Sequence, residues 1–298
     1  MKVYKRESGK EEIRCAVTAI YAECPVPAEF LEIDTEVFGV THVIATGSPE
    51  ARPLLLLHGT SSNSASWFGS LSVWSRSFRV YVVDVPGQPG LSDEHRPSFA
   101  EGAYVRWLAL VVAQLGAERF FLCGQSLGGL IALDYASRYP AQVLALGLLS
   151  PSGLVPPRKS FFFKILPFLF MGDRGVRRIN RIVSGNIPVD PRFEEFSLLV
   201  ARYFIQLTEK LPVFDDEKLK QISSPVLYIG GNRDALLPTR AAADRLRKLL
   251  PDAEIRVLEG IGHVILDQTE VLEGFFRREG MKAGGISPLS NPPQSGGG

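Results

Sequence analysis

The sequence predicts an α/β protein built around a parallel sheet. Two observations carry that expectation: short runs of continuous apolar residues recur along the chain, and most are separated by segments with helical spacing. A strand apolar at every position is buried on both faces, and strands alternating with helices form right-handed βαβ units. The 298 residues suffice for one large α/β domain or for a domain carrying an insertion.

Residues 10–23 have helical spacing and stop before Pro25-Val26-Pro27. Extended segments are expected at 29–33, 36–40 and 41–46, with Gly39 and Gly47 as turn points. Buried strands are expected at 53–57, 79–84, 120–123, 143–149, 225–229 and 253–258. Helices are expected at 66–75, 99–115, 130–138, 239–250 and 264–278. The alternation lapses between Ser150 and Ser223, where apolar and aromatic helical patterns are interrupted by Pro156, Pro157, Pro167, Pro188, Pro191 and Pro212. The expected organisation is a helical N-terminal extension (1–28), a core in two pieces (29–153 and 221–280), a helical insertion (154–220) and a disordered Gly/Ser/Pro tail (281–298).

Composition narrows the function. Net charge is +1, so no nucleic-acid footprint is present. Three cysteines cannot form a disulfide framework: Cys123 falls in an expected core strand, and Cys15 and Cys24 read as free thiols. The N-terminus has charges but no apolar run of signal-peptide type. No stretch reaches the ~20 apolar residues of a membrane span; Phe161–Phe170 is short and holds a lysine and a proline. A soluble, cytoplasmic protein is expected, as monomer or homodimer, with no metal ligand cluster and no cofactor.

The most informative stretch is Gly124-Gln-Ser-Leu-Gly-Gly129, between an expected strand and an expected helix. A serine on so tight a turn, with Gly124 and Gly128 as the small neighbours it requires, has the form of a nucleophile elbow. Its hydroxyl would stand at a helix N-terminus, where N–H groups and the dipole favour negative charge. Ligand sites of open parallel sheets form at the carboxyl ends of strands, so the other strand ends were searched for partners. After Leu57 comes His58-Gly-Thr-Ser-Ser-Asn63, whose small residues let a backbone N–H approach the serine. Thr60 is the first choice for that oxyanion donor, beside the N–H of Leu127; Ser61 is the second. After Ile229 comes Gly230-Gly-Asn-Arg-Asp234, and Asp234 can orient an imidazole. After Leu258 comes a glycine-rich loop with His263, the only histidine downstream of Ser126 and the best general base. Asp84 also ends a strand, but it precedes the serine.

Taken together, His58-Gly59, Asp84-x-Pro-Gly, Gly124-Gln-Ser-Leu-Gly-Gly129, Gly230-Gly-Asn-Arg-Asp234 and Gly262-His263 resemble the α/β-hydrolase superfamily from about residue 29 to residue 278. The resemblance implies an eight-stranded, mostly parallel sheet and a cap inserted after the sixth strand. It implies an acyl-enzyme mechanism on small or medium apolar carboxylic esters, with Ser126, Asp234 and His263 as the triad. His58, Ser61, Phe161 and Phe162 are the expected pocket residues, and the Phe161–Phe170 run either lines the pocket or packs only on the main domain. A serine nucleophile argues against haloalkane dehalogenases and soluble epoxide hydrolases, and His-Gly-Thr-Ser against prolyl aminopeptidases and the His-Gly-Gly-Gly esterases. Acyl transfer, perhydrolysis, carbon–carbon hydrolysis and a small-molecule receptor remain compatible with the same fold.

Overall fold

The computed structural model describes residues 2–185, 187 and 190–284. Its centre is an eight-stranded sheet: β1 (Glu29–Asp34), β2 (Val40–Thr46), β3 (Pro53–Leu57), β4 (Arg79–Val83), β5 (Phe120–Gln125), β6 (Val143–Leu149), β7 (Val226–Gly231) and β8 (Glu254–Leu258). The order is β1-β2-β4-β3-β5-β6-β7-β8, antiparallel at β1–β2 and β2–β4 and parallel thereafter.

The apolar runs of β3 to β7 are buried on both faces, as their composition demands, whereas β8, expected to be buried, is a half-buried edge strand with Arg256 exposed. Along β3, Leu55 and Leu57 enter one core, and Leu54 and Leu56 enter the other. The first core is closed by α3 (Ala103–Gln114), α4 (Leu127–Arg138) and α9 (Thr239–Leu249). The second is closed by α1 (Glu7–Ala22), α2 (Phe68–Trp74) and α10 (Thr269–Lys282). Each fully buried leucine contributes roughly 1.5–3 kcal/mol relative to exposure. Burial also pushes the Cys123 thiol pKa up, and the three cysteines are free.

Three further expectations shift. Residues 36–38 form a 3-10 turn instead of a strand; Gly39 (φ +79°) follows it, and its N–H returns to the Glu36 carbonyl, closing the β1–β2 hairpin. The last helix starts at Thr269, not 264: residues 263–268 are irregular, with bends at 263, 264 and 267, and Asp267 is a non-glycine residue at φ +56°. That helix also runs through Lys282, two residues into the expected tail; residues 285–298 lie outside the described set.

Between β6 and β7 lie α5 (Lys159–Ile165), a 3-10 segment (Leu166–Phe170), α6 (Gly172–Ser184), α7 (Pro191–Tyr203) and α8 (Asp216–Leu219), with no strand of the sheet among the described residues. The chain's beginning is tied to this block. Tyr4 bridges Phe204, the Lys5 N–H donates to the Tyr203 carbonyl, and the Ile205 N–H donates to the Val3 carbonyl. α1 then packs along α7, with Gly9 so close to the Tyr203 ring that a Cβ would stand 2.6 Å from it.

Candidate active site

Ser126 sits between β5 and α4 at φ +51°, ψ −107°, a backbone region that L-residues rarely occupy. The surroundings hold it there. Its N–H donates to the Leu149 carbonyl, and its own carbonyl accepts from the Leu130 and Ser152 N–H groups. The flanking glycines are obligatory on steric grounds: a Cβ on Gly128 would lie 2.1 Å from the Leu57 carbonyl oxygen, and one on Gly124 would lie 2.3 Å from that of Gly128. The close approach of β3 to α4 brings the turn after β3 beside the serine, with the Gly59 Cβ position 3.4 Å from the Ser126 Cβ.

His263 reaches this serine from the loop after β8. Its Nε2 is 2.9 Å from the Ser126 Oγ, and its Nδ1 is 2.7 Å from an Asp234 carboxylate oxygen. A carboxylate only accepts, so the hydrogen is on Nδ1 and the Nε2 lone pair faces the hydroxyl. The second Asp234 oxygen accepts the N–H groups of Leu236 and Leu237, each at 2.8 Å, which fixes the carboxylate in its turn. All three side chains are buried. The sequence-predicted nucleophile, base and acid therefore meet in one hydrogen-bonded line.

The turn after β3 separates the candidate oxyanion donors. The Ser61 N–H is taken by the buried Gln88 Oε1 at 2.9 Å, in a residue at φ +58°. The N–H groups of Thr60 and Leu127 have no hydrogen-bond partner among the described residues, and Leu127 opens α4, where the helix itself supplies none. Gln88 was not singled out in the sequence; it lies in the Asp84-x-Pro-Gly-x loop, and its role depends on that loop folding back over the turn.

His58 requires a correction. It is fully buried, its Nε2 accepts the Val85 N–H at 3.0 Å, and its Nδ1 donates to the Gly59 carbonyl at 2.8 Å. With both nitrogens used, it shapes the turn and does not line a pocket. Ser61 faces the helical block, where its hydroxyl donates to Gln206. Phe161 is buried, while Phe162 is 55 % exposed and meets Phe161 edge-on. Phe161, Arg158 and Lys164 line a recess of about 300 Å³ with Asn232, Arg233 and Asp234. Asp84 is a structural carboxylate: it accepts from the Tyr21 hydroxyl and from the Ser64 N–H and hydroxyl on one oxygen and from the Leu91 N–H on the other. Among the described residues no three His, Cys, Asp or Glu side chains are grouped to hold a metal ion.

Burial also lowers the pKa of both His58 and His42, against the pull of Asp84. The sign follows directly. Below the ordinary histidine pKa of 6.5 the unfolded chain binds protons that the folded chain refuses, so stability falls with pH. The loss sets in as pH falls through the ordinary histidine range, and about 1.4 kcal/mol per pH unit per histidine is its upper limit. Urea unfolding midpoints across that range measure it; an unchanged midpoint would contradict the neutral assignment of these rings.

A family model described as "Alpha/beta hydrolase family" matches residues 54–273, which includes every residue of the hydrogen-bonded line. The chain belongs to the alpha/beta hydrolase family. Within that family it is 31% identical over 248 residues to a Bacillus subtilis protein named uncharacterized carboxylesterase nap, covering 81% of this chain and 82% of the relative. It is 30% identical over 260 residues to carboxylesterase YbfK of the same organism, covering 83% and 86%. Among solved structures, naproxen esterase (carboxylesterase NP) from Bacillus subtilis superposes with a TM-score of 0.78 at 27% identity, over 94% of this chain and 99% of that one. The mostly parallel eight-stranded sheet agrees with this membership. No helix of the described residues is long and apolar enough to cross a membrane.

Proposed function

We propose that this alpha/beta hydrolase is a serine carboxylesterase acting on esters of small to medium apolar acyl groups through an acyl-enzyme. The observation that carries the reading is the Ser126–His263–Asp234 line, with spacings of 2.9 and 2.7 Å and both Nδ1 and Nε2 correctly engaged. The carboxylesterase names of the Bacillus subtilis relatives support the substrate class.

In the first half-reaction His263 Nε2 takes the Ser126 proton as Oγ attacks the ester carbonyl. The N–H groups of Thr60 and Leu127 receive the oxyanion, each worth on the order of 3 kcal/mol of barrier. The tetrahedral intermediate collapses, the C–O bond to the alcohol breaks, and His263 returns the proton to the leaving alkoxide. Water then enters; His263 takes one of its protons, hydroxide adds to the acyl carbon, and collapse releases the acid and restores the serine. Asp234 holds the ring in one tautomer and stabilises its cationic form. In the same reading, residues 154–220 are a cap over the site, with Phe161 and Phe162 on its inner border and Ser61 on the core side. A cytoplasmic location, supported by the three free cysteines, belongs to the proposal, as does a monomeric or homodimeric state.

A panel of p-nitrophenyl esters from acetate to decanoate tests it. The expected profile is turnover that peaks at short or medium acyl length and is blocked by a serine-directed phosphonate found on Ser126 by mass spectrometry. Adduct formation at another residue, or no turnover at any length, would reject the assignment. Ligand-induced thermal stabilisation without turnover would favour a receptor instead.

A further inference from the structure

The helical block carries an exposed surface that starts at the proposed pocket border, Phe162, and extends well beyond it. Over Phe162–Met171 six large apolar side chains face solvent: Phe162, Phe163, Leu166, Leu169, Phe170 and Met171. Phe163 and Phe170 are 76% and 85% exposed, among the most exposed apolar side chains of the described residues. Isolated exposed apolar residues are ordinary on protein surfaces; six within ten consecutive positions are not.

Cations surround them. Arg158 and Lys159 precede the apolar run, Lys164 lies within it, and Arg174, Arg178 and Arg181 follow it on α6. The three arginines are spaced i, i+4, i+7, so they share one exposed face of that helix. All six are exposed, and none has an ion pair among the described residues. The nearby Arg177 and Asp173 differ in this respect: they pair with Glu194 and Arg202 of α7. α6 packs on the 3-10 segment through Gly175, where a Cβ would collide with the Phe168 carbonyl, so the apolar run and the arginine helix form one continuous knob.

We propose that this aromatic and cationic knob is a docking surface for the anionic face of a phospholipid bilayer. The chemistry is complementary on both counts. Aromatic and aliphatic side chains enter the boundary between headgroups and acyl chains, and unpaired Lys and Arg meet anionic headgroups. A second copy of the chain is a poor occupant, because a two-fold contact would oppose six unpaired cations to six more. The knob is also anchored where docking could reach the site. At one end the Arg158 N–H donates to the Leu236 carbonyl, two residues beyond Asp234; at the other the Val183 carbonyl accepts the His263 N–H at 2.8 Å. Docking does not depend on the ester-hydrolase reading, and the two are tested separately.

The experiment is flotation of the full chain with vesicles of phosphatidylcholine alone and of phosphatidylcholine mixed with phosphatidylglycerol, at low and at high salt. Expected is binding to the anionic vesicles about tenfold or more tighter than to the neutral ones, weakened by salt. Two double variants, Phe163→Ser/Phe170→Ser and Arg174→Glu/Arg178→Glu, should each lower that binding by about tenfold or more. Both pairs are solvent-exposed, so melting temperature and turnover of a soluble short ester should match the parent. Absence of binding to anionic vesicles, or binding that both variants retain, overturns the proposal. So does a concentration-dependent dimer that the Phe163→Ser/Phe170→Ser variant abolishes, which would assign the surface to a second copy.

Discussion

Ser126→Ala is expected to lower kcat for a p-nitrophenyl ester by about six orders of magnitude, because removing the nucleophile of a linked triad forfeits the contribution of the whole unit. The fold should survive, since among the described residues only the His263 ring hydrogen-bonds the Ser126 hydroxyl. Ser126→Gly separates strain from chemistry. At φ +51°, ψ −107° a side chain is held against its backbone preference, and glycine removes that cost. The Gly variant should therefore be as inactive as the Ala variant yet more stable by on the order of 1 kcal/mol. Thermal melts of the two variants side by side decide it. A Gly variant that melts below the Ala variant would show that the elbow stores no strain, and retained turnover in either would remove Ser126 from the mechanism.

What the sequence made legible follows from locality. Strands β3 to β7 are readable because burial on both faces demands an apolar run, and each is bounded by glycine, proline or polar residues; the edge strand β8, with Glu254 and Arg256 in it, is the weaker signal. The residues of the hydrogen-bonded line are legible because a parallel sheet presents its carboxyl ends on one side, which places the residues that follow its strands together. Features made by distant segments were not readable. Gln88 meets Ser61 only once two loops fold together, and Val183 meets His263 only when the helical block docks. His58 misled for a related reason: its place beside Gly59 suggested the pocket, while the Val85 N–H that engages its Nε2 belongs to another strand end. The turn at residues 36–38 is not legible because Glu-Val-Phe carries no breaker of its own; only Gly39, the expected turn point, marks it.

Asp234→Asn is expected to lower kcat by about four orders of magnitude while leaving the protein nearly as stable as the parent. The two carboxylate oxygens have different partners, and the substitution affects only one. An asparagine Oδ1 can still accept the Leu236 and Leu237 N–H groups, so the turn keeps its geometry. Its amide nitrogen then faces His263 Nδ1, which must become the acceptor. The ring hydrogen moves to Nε2, and the nitrogen facing Ser126 loses the lone pair that would take the proton. Asp234→Ala removes both functions: two backbone N–H groups of the turn lose their acceptor, and roughly 1–3 kcal/mol for each that stays buried should appear in the unfolding free energy. Activity alone does not distinguish these variants, whereas urea unfolding does. If both were destabilised equally, Asp234 would act mainly by holding its own turn; if only Asn kept the parent's stability, the loss of activity would trace to the tautomer of His263.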